Sequence, residues 1–313
     1  MDVLRRAVEL GRAGEPAALA TVARVRGSVP RHPGAHMVIR SDGSIFGTIG
    51  GGRVEQEVTR AGIDVASGGS ARTLEYHLVR DLAMCCGGSM VVYVEPLGPA
   101  LEVLAAAVER RGQRAPGYLF TPLDGSGKRF VATERHGSRR ARVDDGALIE
   151  PLVAEARLIL LGCGHVGRAI GVLAAGVDFQ VVACDDDDTG ALADPLPWAT
   201  QVVPSFEIAD LERAIGPLGD GDYALVVTRD HAIDERLVER LLPRDELSYL
   251  GLIGSRGKIG RFEKRLRAKG VATDARLARL HAPIGVDIGA ETPAEIAVST
   301  VAELIAVRNR GAE

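Results

Sequence analysis

The feature that most constrains this chain is a glycine motif, GCGHVG at residues 162–167, set between two different apolar patterns. The apolar run 158–161 directly before it predicts a short buried strand, and apolar residues at helical spacing after it predict a helix. Asp185 ends the next predicted strand, 23 positions after Gly162. Strand, glycine turn, helix and a later acidic residue together predict a Rossmann-type dinucleotide-binding unit.

Each residue of this motif has a physical role in such a unit. Gly162 permits the tight turn, Gly164 lets the main chain approach a pyrophosphate, and Gly167 lets the helix pack on the strand. His165 begins the helix, whose unpaired N–H groups and partial positive charge favour phosphate. Asp185 would accept hydrogen bonds from ribose hydroxyls. The alternative is a tight turn that binds no ligand, because one fold hosts many functions.

From residue 155 onward, apolar strand patterns alternate with helical patterns. This alternation predicts a parallel sheet covered by helices on both faces. Residues 1–151 lack it and instead mix short strands, turns and glycine clusters with a few helices. The sequence therefore predicts an α/β protein in which an α+β glycine-rich domain, residues 1–151, precedes a Rossmann-like doubly wound parallel sheet, residues 152–313. Residues 116–149 are predicted to form a hairpin and then a charged, loop-prone stretch.

A second glycine cluster, GTIGGG at residues 47–52, also joins a predicted strand to a predicted helix. The amides of Gly50, Gly51 and Gly52 carry no side chains that would obstruct an anion, and consecutive main-chain N–H groups form anion-binding nests. Arg53 follows directly and adds a positive charge. The alternative is a sharp bend that needs glycine only for its positive φ.

Cys85 and Cys86 lie on a glycine loop just before a predicted strand, where a thiol would be accessible. Thiolates bind soft metals and carry sulfur, and Arg53, if it lies near, would lower the thiol pKa. The alternative is that each cysteine is a small buried apolar residue. The acidic run 185–188 is a less favoured candidate for a metal site.

A third cluster, Gly254, Ser255 and Arg256, follows a predicted strand and begins a helix. Ligands of doubly wound sheets lie at the carboxyl ends of strands, so this loop could meet the same anion as the loop 162–167. A solvated helix start is the equal alternative. Farther on, the glycine-rich loop 281–290 leads into a helix with a capping-box pattern and could close over a ligand.

Composition indicates which classes of partner the protein can bind and in which compartment it is expected. A net charge of −4 gives no bulk basicity, which argues against a nucleic-acid-binding protein. No run reaches the length of about 18 apolar residues that a membrane-spanning helix needs. The four cysteines form neither a disulfide framework nor a CxxC zinc pattern, which predicts a reducing, cytoplasmic environment.

Several segments together resemble the xanthine dehydrogenase accessory factor family, also called XdhC/CoxI, and they span nearly the whole chain in family order. They are GSVPRHPGAHMVI (27–39), GTIGGGRVE (47–55), CGG (86–88), LGCGHVG (161–167), GLIGSRGK (251–258) and HAPIGVDIGAETPAEIAVS (281–299). The resemblance implies a factor that binds molybdenum cofactor and helps its sulfuration by a cysteine desulfurase. It also implies delivery to an apo molybdenum hydroxylase of the xanthine dehydrogenase or carbon monoxide dehydrogenase type.

The resemblance also implies site roles. The phosphate of molybdopterin, or the dinucleotide form of the cofactor, fits the predicted anion sites at 50–52 and 162–167. Cys86 matches the family's cysteine, so we assign it a molybdenum or sulfur contact. NAD or another separate nucleotide could occupy the Rossmann site, and a homodimer would let the anion sites of two chains share one ligand.

The chain departs from the family pattern at three places. Arg229 stands where the family often has His, Asp186 to Asp188 follow the strand end where a basic residue is usual, and Cys85 doubles the cysteine. The first two departures put in doubt any family chemistry or phosphate contact at those positions.

These features predict a cofactor carrier without catalytic residues, because no acid–base dyad or nucleophile triad is evident. The alternative from another class is an NAD-dependent oxidoreductase, which needs a poised acid or base such as His231 or His281. A third interpretation is an interaction scaffold whose glycine turns bind nothing.

Overall fold

The computed structural model describes residues 2–134, 140–186 and 188–310. The described chain divides into two compact units, which we call unit 1 (residues 2–154) and unit 2 (residues 155–310). Unit 1 contains antiparallel sheets, and unit 2 contains a parallel sheet.

The first sheet of unit 1 has five antiparallel strands in the order β3-β2-β1-β5-β4. Its strands are β1 (Ala17–Arg26), β2 (His36–Arg40), β3 (Ile45–Gly47), β4 (Arg72–His77) and β5 (Ser89–Pro96). Its helices are α1 (Val3–Arg12), α2 (Gly52–Ala66), α3 (Leu78–Leu82) and α4 (Leu97–Gly112). Alternate residues of β1 point to opposite faces, so Ala18 and Ala20 pack with α2 while Ala17 and Leu19 pack with α1 and α4.

A second sheet of unit 1 has the order β7-β6-β9-β8 and is also antiparallel. Its strands are β6 (Gly117–Pro122), β7 (Arg129–Ala132), β8 (Arg142–Asp144) and β9 (Ala147–Pro151). The prediction of a loop-prone stretch after the first hairpin was wrong for residues 142–149, because β8 and β9 form a second hairpin, and residues 135–139 of that stretch lie outside the described residues. Its turn is Asp145-Gly146, both with positive φ, which is the residue pair that two-residue hairpin turns favour.

Unit 2 contains a six-stranded sheet in the order β12-β11-β10-β13-β14-β15, in which every neighbouring pair is parallel. The strands are β10 (Arg157–Leu161), β11 (Gln180–Cys184), β12 (Gln201–Val203), β13 (Asp222–Val226), β14 (Tyr249–Leu252) and β15 (Leu280–His281). Numbered within the unit, this order is 3-2-1-4-5-6, which is the strand order of dinucleotide-binding Rossmann folds. The predicted fold class is therefore confirmed.

Helices cover both faces of the parallel sheet. They are α5 (His165–Gly176), α6 (Ile208–Ile215), α7 (His231–Leu241), α8 (Arg256–Ala268), α9 (Asp274–Leu277) and α10 (Pro293–Arg310). All five residues of β10 are buried, with Leu158 and Leu160 facing α5 and α10 and with Ile159 and Leu161 facing the opposite helices. Among the described helices, none is both long enough and apolar enough to cross a membrane.

Candidate functional site

The loop after β10 has the geometry that the glycine motif predicts. Gly162 has a φ of 116°, and a Cβ there would overlap the carbonyl oxygen of Val227 on the neighbouring strand's loop. A Cβ on Gly167 would overlap the carbonyl oxygen of Gly162, so helix and strand approach as closely as backbone allows. A Cβ on Gly164 would meet nothing within 4 Å. Two glycines thus serve packing, whereas the third leaves space beside the main chain.

Helix α5 begins at this loop, and its N-cap residue provides no side-chain hydrogen bond to the helix amides. Gly164 is the N-cap residue and offers no side-chain acceptor, and both Gly164 and His165 are exposed. The strand order reverses on either side of β10, so the crevice that binds ligands in such sheets lies at this edge. The N-terminus of α5 therefore presents N–H groups and a partial positive charge to solvent, as phosphate binding requires.

Asp185, which the sequence predicts as a ribose acceptor, accepts a hydrogen bond from the glycine loop. The backbone N–H of Cys163 donates to Asp185 Oδ2 across 2.7 Å, and the Asp185 side chain is only 6% exposed. This hydrogen bond therefore fixes the glycine loop to the residue that follows β11. A ribose hydroxyl would have to share this carboxylate with the loop.

The residues at the first two departures from the family pattern form ion pairs with each other. Arg229, just after β13, donates to Asp186 Oδ1 and Oδ2 at 2.5 and 3.0 Å and to Asp188 Oδ2 at 2.9 Å. These hydrogen bonds hold the pKa of Asp186 below its ordinary value. Asp187 lies outside the described residues. Because β11 and β13 flank β10, this ion-pair cluster bridges the carboxyl edge of the sheet beside the glycine loop.

In the third glycine cluster, one residue caps a helix and another is exposed to solvent. Ser255 caps α8 by accepting a hydrogen bond from the backbone N–H of Lys258, 3.4 Å away. Arg256 lies exposed in the first turn of the same helix. Gly254 has a positive φ and lies against the Lys258 stem. Of this cluster, Arg256 is the cation available to a ligand.

Lys258 belongs to a buried network. Its Nζ lies 2.7 Å from Asp234 Oδ2, and the two side chains are 9% and 1% exposed. The other Asp234 oxygen accepts a hydrogen bond from the Thr228 hydroxyl at 2.6 Å. This network ties the ends of β13 and β14 together, so the lysine is committed to the fold.

In unit 1, two of the three glycine amides of the second cluster, those of Gly50 and Gly51, are already engaged. The N–H groups of Ile49 and Gly51 donate to Glu55 Oε2 at 3.2 and 3.1 Å, and that of Gly50 donates to the Thr48 hydroxyl at 3.1 Å. Thr48 in turn donates to the same Glu55 oxygen at 2.5 Å. The cluster is thus an anion nest whose anion is a carboxylate of the first turn of α2. For Gly50 and Gly51 this corrects the sequence interpretation of amides open to an external phosphate, whereas for Gly52 that interpretation stays a prediction.

Three loops of unit 1 meet at this cluster. The N–H of Gly88 donates to the carbonyl of Ser28 across 2.9 Å. A Cβ on Gly52 would lie 3.3 Å from Met84 Cε. The structure therefore brings the glycine cluster, the loop 27–30 and the cysteine loop 84–88 together, as the sequence alone did not predict.

The cysteines differ in environment. Cys85 is exposed, and Cys86 is half-buried and packs against the apolar cluster under α2. Burial and the neighbouring Cys85 raise the pKa of Cys86, which is opposite to the lowering expected from a nearby Arg53. Cys163 and Cys184 are buried. No group of three or more His, Cys, Asp or Glu among the described residues is arranged to hold a metal ion.

The loop after β15 is held by a residue that the sequence analysis missed. Glu303 of α10 accepts hydrogen bonds from the Tyr249 hydroxyl at 2.7 Å and the Gly285 N–H at 2.8 Å, and it pairs with His281 Nδ1 at 2.9 Å. Burial raises the pKa of Glu303, but these three partners outweigh it and leave the pKa below its ordinary value. His281 is thus committed to Glu303, whereas His231 is exposed at the start of α7.

Two family models match the chain. The one described as the XdhC and CoxI family matches residues 10–77, and the one described as the XdhC Rossmann domain matches residues 158–304. The chain is also similar to the Escherichia coli K12 protein YqeB, with 30% identity over 99% of this chain and 47% of YqeB. It therefore spans about half the length of that relative.

Other relatives match over most of their length. A probable xanthine dehydrogenase subunit of Bacillus subtilis 168 is 26% identical over 95% of this chain and 94% of its own. The molybdenum cofactor insertion chaperone PaoD of E. coli K12 is 26% identical over 98% of this chain and 88% of its own. A crystal structure of a protein described as a xanthine dehydrogenase from Bacillus halodurans superposes with a TM-score of 0.81 at 25% identity, covering 99% of this chain and 96% of that one. With both units matched, this chain belongs to the XdhC and CoxI family.

Proposed function

We propose that this protein is an accessory factor that binds molybdenum cofactor, takes part in its sulfuration and passes it to an apo molybdenum hydroxylase. The observation that carries the proposal is the uncapped, exposed start of α5 beside Gly164 at the carboxyl edge of the parallel sheet. Phosphate is the chemical group that such a helix start favours. PaoD, similar to this chain over nearly its whole length, is named as a molybdenum cofactor insertion chaperone.

In this proposal, unit 2 holds the phosphate or dinucleotide part of the cargo. Gly162, Gly164, His165 and Gly167 form the cradle, with Asp185 fixing its shape through Cys163. Arg256, exposed at the start of α8, is the cation that would neutralise the phosphate. Both helix starts follow carboxyl ends of strands of one sheet, which supports a shared ligand.

Unit 1 would supply the thiol. Cys86 belongs to the loop 84–88, in which Met84 lies beside Gly52, and Arg53 is exposed at the start of α2. Because Glu55 accepts hydrogen bonds from the amides of Ile49 and Gly51, an incoming phosphate would have to displace that carboxylate, so we assign to unit 1 a molybdenum or sulfur contact through Cys86. A reducing compartment such as the cytoplasm would keep the thiol available for this role.

The oxidoreductase alternative draws its support from the Rossmann strand order and glycine loop. Its candidate acid–base residues are less well supported, because His281 pairs with Glu303 and His231 lies exposed on α7. Turnover of NADH with small carbonyl substrates would favour this alternative.

The proposal is tested by loading purified protein with the cofactor in its molybdopterin and dinucleotide forms and measuring bound molybdenum and pterin. We expect saturable binding that Gly164→Val abolishes, because its side chain fills the space beside the α5 amides. We expect Cys86→Ser to lose molybdenum retention or sulfur transfer, with Cys85→Ser as the matched control. Absence of saturable binding in the wild type would refute the carrier role.

Delivery and partners need a second assay. We expect loaded protein, mixed with a cysteine desulfurase and apo hydroxylase, to restore hydroxylase activity faster than free cofactor does. Sedimentation with and without cofactor tests whether two chains share one ligand. Activation at the rate of free cofactor would leave binding intact and remove the delivery role.

A further inference from the structure

The acidic residue that would bind a ribose in unit 2 is covered by an ion pair. In Rossmann folds, the acid at the end of the second strand accepts hydrogen bonds from the ribose hydroxyls of a dinucleotide. Asp185 has this position directly after β11, but its side chain is only 6% exposed. A ribose could therefore reach the carboxylate only if neighbouring side chains moved.

Both oxygens of the Asp185 carboxylate face groups of the protein. Oδ2 accepts a hydrogen bond from the N–H of Cys163 at 2.7 Å. Oδ1 lies 3.9 Å from Nη1 of Arg229, so the guanidinium lies beside the oxygen that this hydrogen bond leaves to a ligand. A ribose bound to Asp185 would have to take the place of this guanidinium.

Arg229 is held in this position by the carboxylate of Asp186. Its Nη1 and Nη2 donate to Oδ1 and Oδ2 of Asp186 at 2.5 and 3.0 Å, and such a forked pair fixes the plane of the guanidinium as well as its distance. A further hydrogen bond runs from Nη2 to Asp188 Oδ2 at 2.9 Å. Moving Arg229 aside would break these bonds and would leave Asp185 and Asp186 as neighbouring like charges without their shared cation.

The main chain that carries Arg229 is also fixed. A Cβ on Gly162 would lie 2.4 Å from the carbonyl oxygen of Val227 and 3.0 Å from Cα of Thr228, so the segment after β13 packs directly on the glycine loop. The hydroxyl and the N–H of Thr228 both donate to Oδ1 of the buried Asp234, at 2.6 and 3.2 Å. The ion pair therefore extends across the crevice from a well-anchored segment.

The phosphate position of the same crevice stays open. Gly164 and His165 are exposed at the start of α5, and a Cβ on Gly164 would meet nothing within 4 Å. The crevice thus combines an accessible phosphate position with a covered ribose position. A phosphomonoester needs only the first of these positions, whereas a dinucleotide needs both.

We propose that Arg229 and Asp186 determine specificity in this crevice: they cover the ribose position, so a cargo that ends in a phosphate is accepted and a dinucleotide is rejected. The inference rests on the proposed function, because it takes the start of α5 as the phosphate site of the cofactor. It selects the molybdopterin form over the dinucleotide form. Since both residues depart from the family pattern, we expect this selection of the present chain and not of every member.

The test titrates the full chain by calorimetry with the molybdopterin form of the cofactor and with NAD⁺, a dinucleotide without a pterin. We expect the wild type to bind the molybdopterin form saturably and NAD⁺ only above millimolar concentration. The double variant Arg229→Ser/Asp186→Ser removes the ion pair without changing the net charge. It should bind NAD⁺ roughly 10- to 100-fold more tightly than the wild type, because ribose hydroxyls can then donate to the charged Asp185.

The matched control removes a second forked ion pair of unit 2, that of Arg244 and Glu212. Its hydrogen bonds are 2.7 and 3.1 Å long, and its side chains are 28% and 27% exposed, against 33% and 28% for Arg229 and Asp186. Arg244 follows the end of α7, so this pair lies away from the edge at which the helices begin. Arg244→Ser/Glu212→Ser should bind both ligands within about twofold of the wild type, as expected for groups far from the ligand.

A second variant keeps the test decisive if the double variant does not fold. Arg229→His introduces the residue that the family often has, which has no guanidinium to pair with Asp186, so NAD⁺ binding should again strengthen. Wild-type binding of NAD⁺ as tight as that of the opened variants would overturn the inference. Loss of molybdopterin binding in either variant would also overturn it, because Arg229 would then be a ligand of the phosphate.

The outcome is separable from that of the proposed function. If the wild type binds the molybdopterin and dinucleotide forms of the cofactor equally well, the carrier role stands and the specificity assignment is wrong. If the wild type binds neither form, but removal of the ion pair creates NAD⁺ binding, Arg229 and Asp186 do cover the ribose position and the carrier role is wrong.

Discussion

Replacing Gly167 by alanine tests whether the glycine motif serves packing at this position. The added methyl group would overlap the carbonyl oxygen of Gly162, which is main chain and cannot rotate away as a side chain could. Helix α5 would have to move off β10, and with it the contacts of Ile170 and Ala174 in the core beneath. The perturbation therefore acts on the folded state of unit 2.

The expected magnitude combines two opposing effects. Overpacking a close-packed site costs about 1–3 kcal/mol, and a backbone obstacle places Gly167→Ala near the upper limit. Alanine in place of a helical glycine recovers up to about 1 kcal/mol. The net loss in the free energy of unfolding is therefore about 2 kcal/mol, which corresponds to a urea midpoint lower by about 1 M.

The assay is urea unfolding followed by tryptophan fluorescence. Trp198 is the chain's only tryptophan and lies against Gly171 of α5, so its signal reports on unit 2. The matched control is Gly176→Ala at the exposed end of the same helix, where a Cβ meets nothing within 4 Å. We expect that control to be as stable as wild type or slightly more so. A Gly167→Ala variant with the wild-type midpoint would refute the close-packing argument.

Three further predictions concern single side chains. Lys258→Met leaves the buried Asp234 carboxylate without its cation and should lower the free energy of unfolding by about 3–5 kcal/mol in the tryptophan assay; a loss below about 1 kcal/mol would contradict a buried pair. Because the folded pKa of Glu303 lies below its ordinary 4.5, its stabilisation is present above that pH and disappears on further acidification. The difference in melting temperature between wild type and Glu303→Gln should therefore shrink as the pH falls below 4.5, and a constant difference would argue against the ionised contact. Alkylation of Cys86, followed by mass spectrometry, should reach half its maximal rate above pH 9.0 and shift to lower pH in Cys85→Ser, since Cys85 is one cause of the raised pKa; an unshifted profile would exclude that coupling.

Unit 2 was predictable because its signals are local. A strand of a parallel sheet is covered on both faces, so it reads as a continuous apolar run such as 158–161, and a helix follows each strand at short range. In unit 1 several strands alternate between buried and partly exposed positions, as β6 does, or are short and mostly exposed, as β3, β7 and β8 are, so their patterns are weaker. The β8–β9 hairpin did have a local signal, the pair Asp145-Gly146, which the sequence interpretation overlooked.

In the candidate site, too, local features could be predicted from the sequence and contacts between distant residues could not. The structural role of the glycines could be predicted, because their spacing is typical of a tight turn between a strand and a helix. The partners of polar groups could not: Arg229 and Asp186 are 43 residues apart and meet only because β11 and β13 flank β10. Glu55 is the exception, since an acidic residue in the first helical turn after a glycine nest is a local signal for an internal anion.

The strand order of unit 2 also constrains when the protein can fold on the ribosome. The central strand β10 is synthesised first in the unit, yet one of its two neighbours, β13, begins 65 residues later, so the nascent sheet stays half-built until that segment leaves the exit tunnel. Unit 1 has a comparable interval, because β1 pairs with β5, which begins even farther along the chain, but all of its described strands precede Ala154. Because the chain is synthesised from its N-terminus, unit 1 can fold before unit 2. Until β13 has been synthesised, the edge of β10 that will pair with it stays exposed, and chaperones or other strands can bind there.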